Sequence, residues 1–233
     1  MRATLPVFLS LNAGYVDTAG FLALQGLFTA HVTGNFVTLG ASLVLGTSGA
    51  LTKLLALPIF CAVVIAARLL DTALSNRQRP AFEVLVALEV LLLFTGCALA
   101  IRFGPFHDLD SWQAVLSGMV LVGAMAIQNA FHRVHLASVP PSTIMTGTTT
   151  QVMIDLADRI HAPNRTESQA GARLVQMSTN ILFFAMGCAA AALLYSRFGI
   201  KCFVVPPIVG ILQLIALKAG QGHALEPSRR TGS

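Results

Sequence analysis

Charge is what this sequence has least of. Only 11% of its 233 residues are Asp, Glu, Lys or Arg, while 55% are hydrophobic, against roughly 25% charged residues in a water-soluble domain. That shortage excludes a soluble globular chain, because one core of this size has no room for so much apolar surface. A membrane-embedded chain escapes the limit, since its outer surface stays apolar and only the ends of its segments meet water.

Other absences narrow the class further. The formal charge of +5 is not gathered into a basic stripe with interleaved aromatics, which excludes a nucleic-acid partner. The four cysteines, Cys61, Cys97, Cys188 and Cys202, form no CxxC pair, so neither a zinc site nor a disulfide framework is indicated, and they read as small core residues. His132, His135 and His161 have no carboxylate or cysteine at ligand spacing, so no metal and no cofactor is expected. A membrane enzyme would show a nucleophile with its base, or a metal cluster. Asp155, Asp158 and His161 are only a loose group, and the chain reads as non-enzymatic. The first apolar run, Leu5 to Leu24, is too long for the h-region of a signal peptide and lacks a small-residue cleavage site, so it reads as a retained membrane segment.

What is present is a series of long apolar runs, near 5 to 24, 54 to 74, 81 to 102, 111 to 132, 173 to 196 and 200 to 217. Each approaches the ~20 helical residues that cross a hydrocarbon core. Two shorter stretches, Gly34 to Leu45 and Gly147 to Leu156, are too short to span alone. The second follows Pro140 and Pro141, which favour extended backbone, and an extended approach followed by a short helix is the pattern of a re-entrant segment.

The two short stretches open alike, with TAHVTGN from Thr29 and STIMTGT from Ser142, 113 residues apart. Each follows one long run and precedes two more, so the order span, short helix, span, span occurs twice. Three crossings per unit force the second copy into the opposite orientation. The expected fold is therefore an all-α membrane protein of six transmembrane helices plus two re-entrant half-helices, arranged as two inverted-topology three-helix repeats. The repeats cover about 5–102 and 111–217 of a single membrane domain, 1–233, with a flexible tail from 218. The alternative of eight full crossings would move Arg77 and Arg79 outward. The six-span arrangement instead leaves ten basic residues on the cytoplasmic side against Lys53, Arg102, Arg197 and Lys201 outside, with both termini cytoplasmic.

The stretch Asn12 to Gly40, NAGYVDTAGFLALQGLFTAHVTGNFVTLG, closely resembles the signature of the YoaK family, bacterial membrane proteins grouped under a domain of unknown function numbered 1275. The GYVD, FLAL and AHVTGN elements carry the likeness, and the MTG of the second half and the span order are similar too. The resemblance implies an integral membrane protein, multi-pass, in the bacterial inner membrane; it implies no particular activity.

Opposed short helices would bring Gly34 and Gly147 near the bilayer midplane, each helix N-terminus carrying about half an elementary positive charge. Such termini suit an anionic or dipolar solute, or repel cations from a neutral-solute pore. The expected binding residues are Asp17, Thr33, Gly34, Asn35, Thr146, Gly147 and Thr148. The plain alternative is that these threonines cap two buried helices. Asp17, deep in the first span, is expected to be paired, protonated or open to water, because a buried carboxylate costs about 2.5–3.5 kcal/mol to insert. It is a candidate for proton coupling or cation binding, or else a packing carboxylate bonded to Tyr15, Thr18 or a neighbouring helix end. Further candidates for coupling or gating are His31, Glu89, with Arg68 as a possible partner, and Gln128 or Asn129, the neutral counterparts of Asp17. Arg68 with Asp71 reads more simply as an i,i+3 pair.

The reading that follows is a transporter of an unknown small solute between the two Thr-Gly turns, with lipid as its surroundings and a homo-oligomer as an open option. A passive channel or a non-catalytic scaffold or sensor are the alternatives.

Overall fold

A computed structural model describes residues 4–161 and 168–222. Among these the chain is all helical: α1 Thr4–Ala23, α2 Asn35–Leu45, α3 Ala50–Asn76, α4 Ala81–Phe103, α5 Trp112–His135, α6 Met145–His161, α7 Ser168–Phe198 and α8 Val205–Gly222, with 3-10 turns at Val32–Gly34 and Gly199–Val204. Four helical stretches are long and apolar enough to cross a membrane: α3, α4, α5 and the run Gly171–Ala219 that contains α7 and α8. The protein is thus a multi-pass membrane protein. α1 is less apolar because it carries Asn12 and Asp17, and its neighbours cover it: thirteen of its twenty residues are buried.

Residue pairs fix the relative helix directions. Gln213 on α8 reaches the carbonyl of Phe8, while Tyr15 donates to the carbonyl of Cys202, so α8 runs antiparallel to α1. Gln128 on α5 reaches Leu9, and Gly118 sits against Leu24 and Leu27, so α5 is antiparallel to α1 as well. α3 runs with α5: Thr52 donates to the Leu109 carbonyl, Gly123 sits near Val63, and His135 bonds Asp71. α4 opposes α5, with Phe82 against Phe131 at one end and Phe103 against Trp112 at the other. α7 and α8 both lie against α1, so the chain reverses between them. Gly199, at φ 55°, takes the left-handed conformation that ends α7, and Pro206 and Pro207 suit the first turn of α8, where backbone N–H groups lack helical acceptors anyway.

The short helices start inside this bundle. After α1 closes on Gln25 and Gly26, both at positive φ with Gly26 N–H donating to Phe21, the chain turns back until Thr29 lies beside Gly20 and Asp17. α2 then runs outward to Ser42, which meets Lys53 in the first turn of α3. The 136–144 segment behaves likewise, returning along α5 so that Ser142 and Thr143 meet Gln128 and Asn129. α6 then runs back to the end where α7 begins, with Asp155 beside Arg173.

Four expectations need correction. The second short helix is longer than its apolar stretch: it runs to His161, because its last turns are amphipathic, with Asp155 bonded to Gln151 and Arg173 where the helix leaves the bundle. The last apolar run begins as a 3-10 turn, the two prolines displacing the α-helix to Val205. Cys61 is exposed on the outer face of α3 rather than in the core. The tail expected from 218 is helical to Gly222; its remainder lies outside the described residues, as does Arg165.

The closest helix contact is between α1 and α7. A Cβ on Gly187 would lie 2.1 Å from the Leu11 carbonyl oxygen, and one on Gly14 would lie 2.2 Å from that of Phe184. Small residues let backbones approach so closely, which is how helices gain packing energy where no hydrophobic effect separates them. Gly187→Ala should therefore push the two helices apart and cost about 1–3 kcal/mol, seen as a lower melting temperature of the detergent-solubilised protein. Gly40→Ala, where no atom lies within 4 Å, should raise it through helix propensity, by about 0.5–1 kcal/mol. Equal effects at the two positions would contradict this account of the α1–α7 contact.

Candidate functional site

The returning segment 24–34 carries backbone donors into the interior of the bundle, where Thr29 and Ala30 are buried, and one carboxylate collects them. Asp17, 4% exposed, accepts from the N–H groups of Thr29 and Ala30, each at 2.8 Å, and from the Thr29 hydroxyl. His31 Nδ1 lies 2.7 Å from its other oxygen. Asp17 is therefore paired with a loop and a histidine rather than with Tyr15 or Thr18, and both its oxygens are engaged. Asn35 completes the turn: its side-chain oxygen accepts from Phe28 N–H and its nitrogen donates to the Phe28 carbonyl, both at 2.8 Å. The Phe28 ring covers Gly34, where a Cβ would lie 2.9 Å from it. Rings of Phe21, Phe28, His31 and Phe184 then follow one another in contact.

The returning segment 136–144 is held by neutral groups, and mainly through its side chains. Gln128 donates to the Leu9 carbonyl and the Ser142 hydroxyl, and Thr143 donates to the Asn129 side-chain oxygen at 2.6 Å. Asn180 on α7 donates to the Pro140 carbonyl, an acceptor freed by the extended Pro140–Pro141 backbone. His132 lies 3.2 Å from the Ser142 hydroxyl.

Between these two openings lies a cavity of about 700 Å³. Its walls are His31, Val32 and Thr33 from one opening, Thr143 to Thr146 from the other, Phe60, Val64 and Arg68 from α3, and Asn129, Ala130, Arg133 and Val134 from α5. The lining is mainly apolar. Its exposed members, which form its mouth, include Arg68 and Arg133 together with Thr33, Ile144 and Thr146, and Arg68 also pairs with Asp71 rather than with Glu89. The first N–H groups of a helix have no acceptor inside the helix, so both openings present donors and a partial positive charge to the same space.

The expected site residues separate into groups. Thr33 and Thr146 share the cavity, together with His31 and Asn129. Asp17 does not line it and reaches it through Ala30 and His31, both bonded to its carboxylate. Gly34 and Asn35 shape the turn and do not line it, and the Asn35 amide is wholly occupied by Phe28. Gly147 and Thr148 face a second space of about 450 Å³, beside Arg173 and Gln151, and the Thr148 hydroxyl bonds back to Ile144. Gln128 is buried behind the lining, and Glu89 lies on α4, away from it. Arg133 escaped sequence reasoning. Its signal was its place four residues after Asn129, on the same helix face.

Residues 5–216 match the family model described as a protein of unknown function, DUF1275. The chain is 32% identical over 167 residues to the UPF0700 transmembrane protein YoaK of Bacillus subtilis strain 168, covering 68% of this chain and 69% of that protein. No solved structure matches. The signature around Asp17 and the returning segment it anchors thus fall within the matched region, and the chain belongs to the YoaK family of transmembrane proteins, DUF1275.

Proposed function

We propose that the protein is a transporter of a small anionic solute with an apolar part, bound in the cavity between the two helix openings. The observation that carries this reading is the sharing of one largely apolar space by two helix N-termini and two arginines, with His31 to Thr33, Thr143 to Thr146, Arg68 and Arg133 all on its walls. Donors and positive charge from four directions favour a carboxylate or a similar anion, and the surrounding Phe60, Val64 and Ile144 favour a hydrocarbon portion. A soluble anion crossing hydrocarbon needs such a site near the midplane.

The membrane arrangement that goes with it has six crossings, with α2 and α6 as re-entrant half-helices in two inverted repeats. The alternating directions of α1, α3, α4, α5, α7 and α8 support it. So does the equivalence of the anchors: Asp17 on the first helix receives Thr29 and Ala30, and Gln128 and Asn129 on the fifth meet Ser142 and Thr143, positions 113 residues later. Basic residues at the end where α3 and α5 finish and α6 meets α7, Arg77, Arg79, Arg133, Arg159 and Arg173, argue that the cavity mouth faces the cytoplasm of a bacterial inner membrane. The protein acts without covalent chemistry on its solute.

Within this reading Asp17 is an anchor for the loop, its oxygens both engaged, rather than the group that couples transport to protons. Asp17→Asn keeps one acceptor and loses the charge. It should lower stability by about 1–3 kcal/mol while leaving gradient-driven uptake in proteoliposomes measurable; abolished uptake in a protein of unchanged melting temperature would make Asp17 a coupling group instead.

Ligand class is testable before the solute is known. Melting temperatures measured with a panel of small carboxylates, their neutral amides and matching amines should rise for a carboxylate, and Arg133→Ala should weaken that ligand about tenfold or more, the effect of losing a charged hydrogen bond. Stabilisation by amines alone would overturn the anion assignment. In a cysteine-free background, Thr33→Cys and Thr146→Cys should both react with a polar thiol reagent and both be protected by the same carboxylate; protection of only one would mean that the openings do not share a solute.

A further inference from the structure

Behind the cavity, the bundle interior holds a second polar feature. The buried core divides into two apolar clusters. α1 contributes Leu5 and Leu9 to one and Val16 and Ala19 to the other, with Asn12 between. α4 contributes Leu85 and Val86 to one and Leu93 to the other, with Glu89 between. On α5, Gln128 lies beside the boundary between Met125 and Ile127, and on α8 Gln213 stands between Val205 and Leu214. α1 packs on α5 and α8, and both of these pack on α4, so the four helices close around this level. Gly210 sits against Val90 and Leu93, which brings Gln213, one turn along the antiparallel α8, to the level of Glu89.

All four side chains, Asn12, Glu89, Gln128 and Gln213, are 0% exposed. Among the described residues no hydrogen-bond partner meets either Glu89 oxygen, Gln128 Oε1, Gln213 Oε1 or either the oxygen or the nitrogen of the Asn12 amide. The glutamine nitrogens are bound to α1, at the carbonyls of Leu9 and Phe8, which leaves their oxygens turned away from that backbone. Five unpartnered oxygens at one level, one pair of them a carboxylate, is an expensive arrangement: a bare ionised carboxylate in the membrane interior costs several kcal/mol, and unmet amides roughly 1–3 kcal/mol each. The charged groups on the elements around α4 offer no relief. Arg68 and His135 are bonded to Asp71, Lys53 to Ser42 and His132 to the 139–142 segment; Arg133, Lys201 and Lys218 are exposed, and Cys202 takes Tyr15 on its carbonyl.

We propose that Glu89, with the side-chain oxygens of Asn12, Gln128 and Gln213, forms a buried site for one monovalent cation, a sodium ion or a proton. Oxygen donors suit hard cations. A single carboxylate among neutral amides balances one positive charge, whereas a divalent ion would leave a net charge buried. The site's existence does not rest on the solute reading. Its use as the coupling site does, since both Gln128, through Ser142, and α5 connect it to the cavity wall.

The test is made on the full chain in detergent. Melting temperatures are compared in sodium chloride and choline chloride at equal ionic strength, and infrared spectra at neutral pH are compared between the wild type and Glu89→Gln. A sodium-dependent rise in melting temperature that Glu89→Gln abolishes assigns sodium; a protonated-carboxyl stretch lost in Glu89→Gln, without sodium dependence, assigns the proton. Gln213→Leu, which keeps the carboxyl, should weaken sodium binding about tenfold or shift that stretch, and it serves if Glu89→Gln fails to fold. An ionised Glu89 with no sodium effect overturns the proposal, as does stabilisation by choline equal to that by sodium. Cation binding retained by a protein that takes up no solute would sink the transport reading alone.

Discussion

Backbone that leaves a helix inside a packed bundle has nowhere to put its hydrogen bonds except on the protein itself. The molecule meets that demand at residues 28–31 with a single carboxylate. Asp17 binds two consecutive amides and a histidine, and from this attachment follow the depth at which α2 begins, the position of His31 on the cavity wall and the direction in which the first N–H groups of the 32–34 turn point. Asn35 fixes the turn from its far side by pairing with Phe28 as a strand neighbour would. The wall of the cavity is in this sense a by-product of solving a backbone problem.

The returning segment 136–144 is held instead by neutral groups acting on its side-chain hydroxyls, and the difference has electrostatic weight. A carboxylate behind one helix opening offsets part of its positive end, whereas Asn129 and Gln128 leave the other uncompensated. The field in the cavity is therefore lopsided toward the 143–146 side, where Arg133 adds to it. An anion entering from the mouth would meet the stronger attraction on that side.

Much of this architecture was legible in the sequence, because hydropathy reports helices that face lipid. The bounds of α1, α3, α4 and α5 follow the apolar runs within a few residues, and the paired Thr-Gly openings marked where two short helices begin. α6 extends beyond its apolar stretch because its outer turns are amphipathic, and hydropathy marks only the apolar part of such a helix. The partners of Asp17 were illegible because they are backbone amides twelve and thirteen residues away, and no side chain advertises them. Arg133 looked like one more flanking positive charge. Of the polar layer around Glu89 the sequence offered Glu89 and Gln128 only singly, because each member sits on a different helix, and packing alone reveals that they share a level with Asn12 and Gln213.

Two helix contacts of the molecule are not matched in kind. α1 and α7 touch backbone to backbone through Gly14 and Gly187, while α3 meets α5 through side chains, a Cβ on Gly123 standing 3.9 Å from Val63 and His135 bonding Asp71. The cavity lies along that second seam, with Phe60, Val64 and Arg68 on one side and Asn129, Ala130 and Arg133 on the other. One seam thus has no slack, whereas the wall of the cavity is built from side chains, which can change rotamer where a backbone cannot.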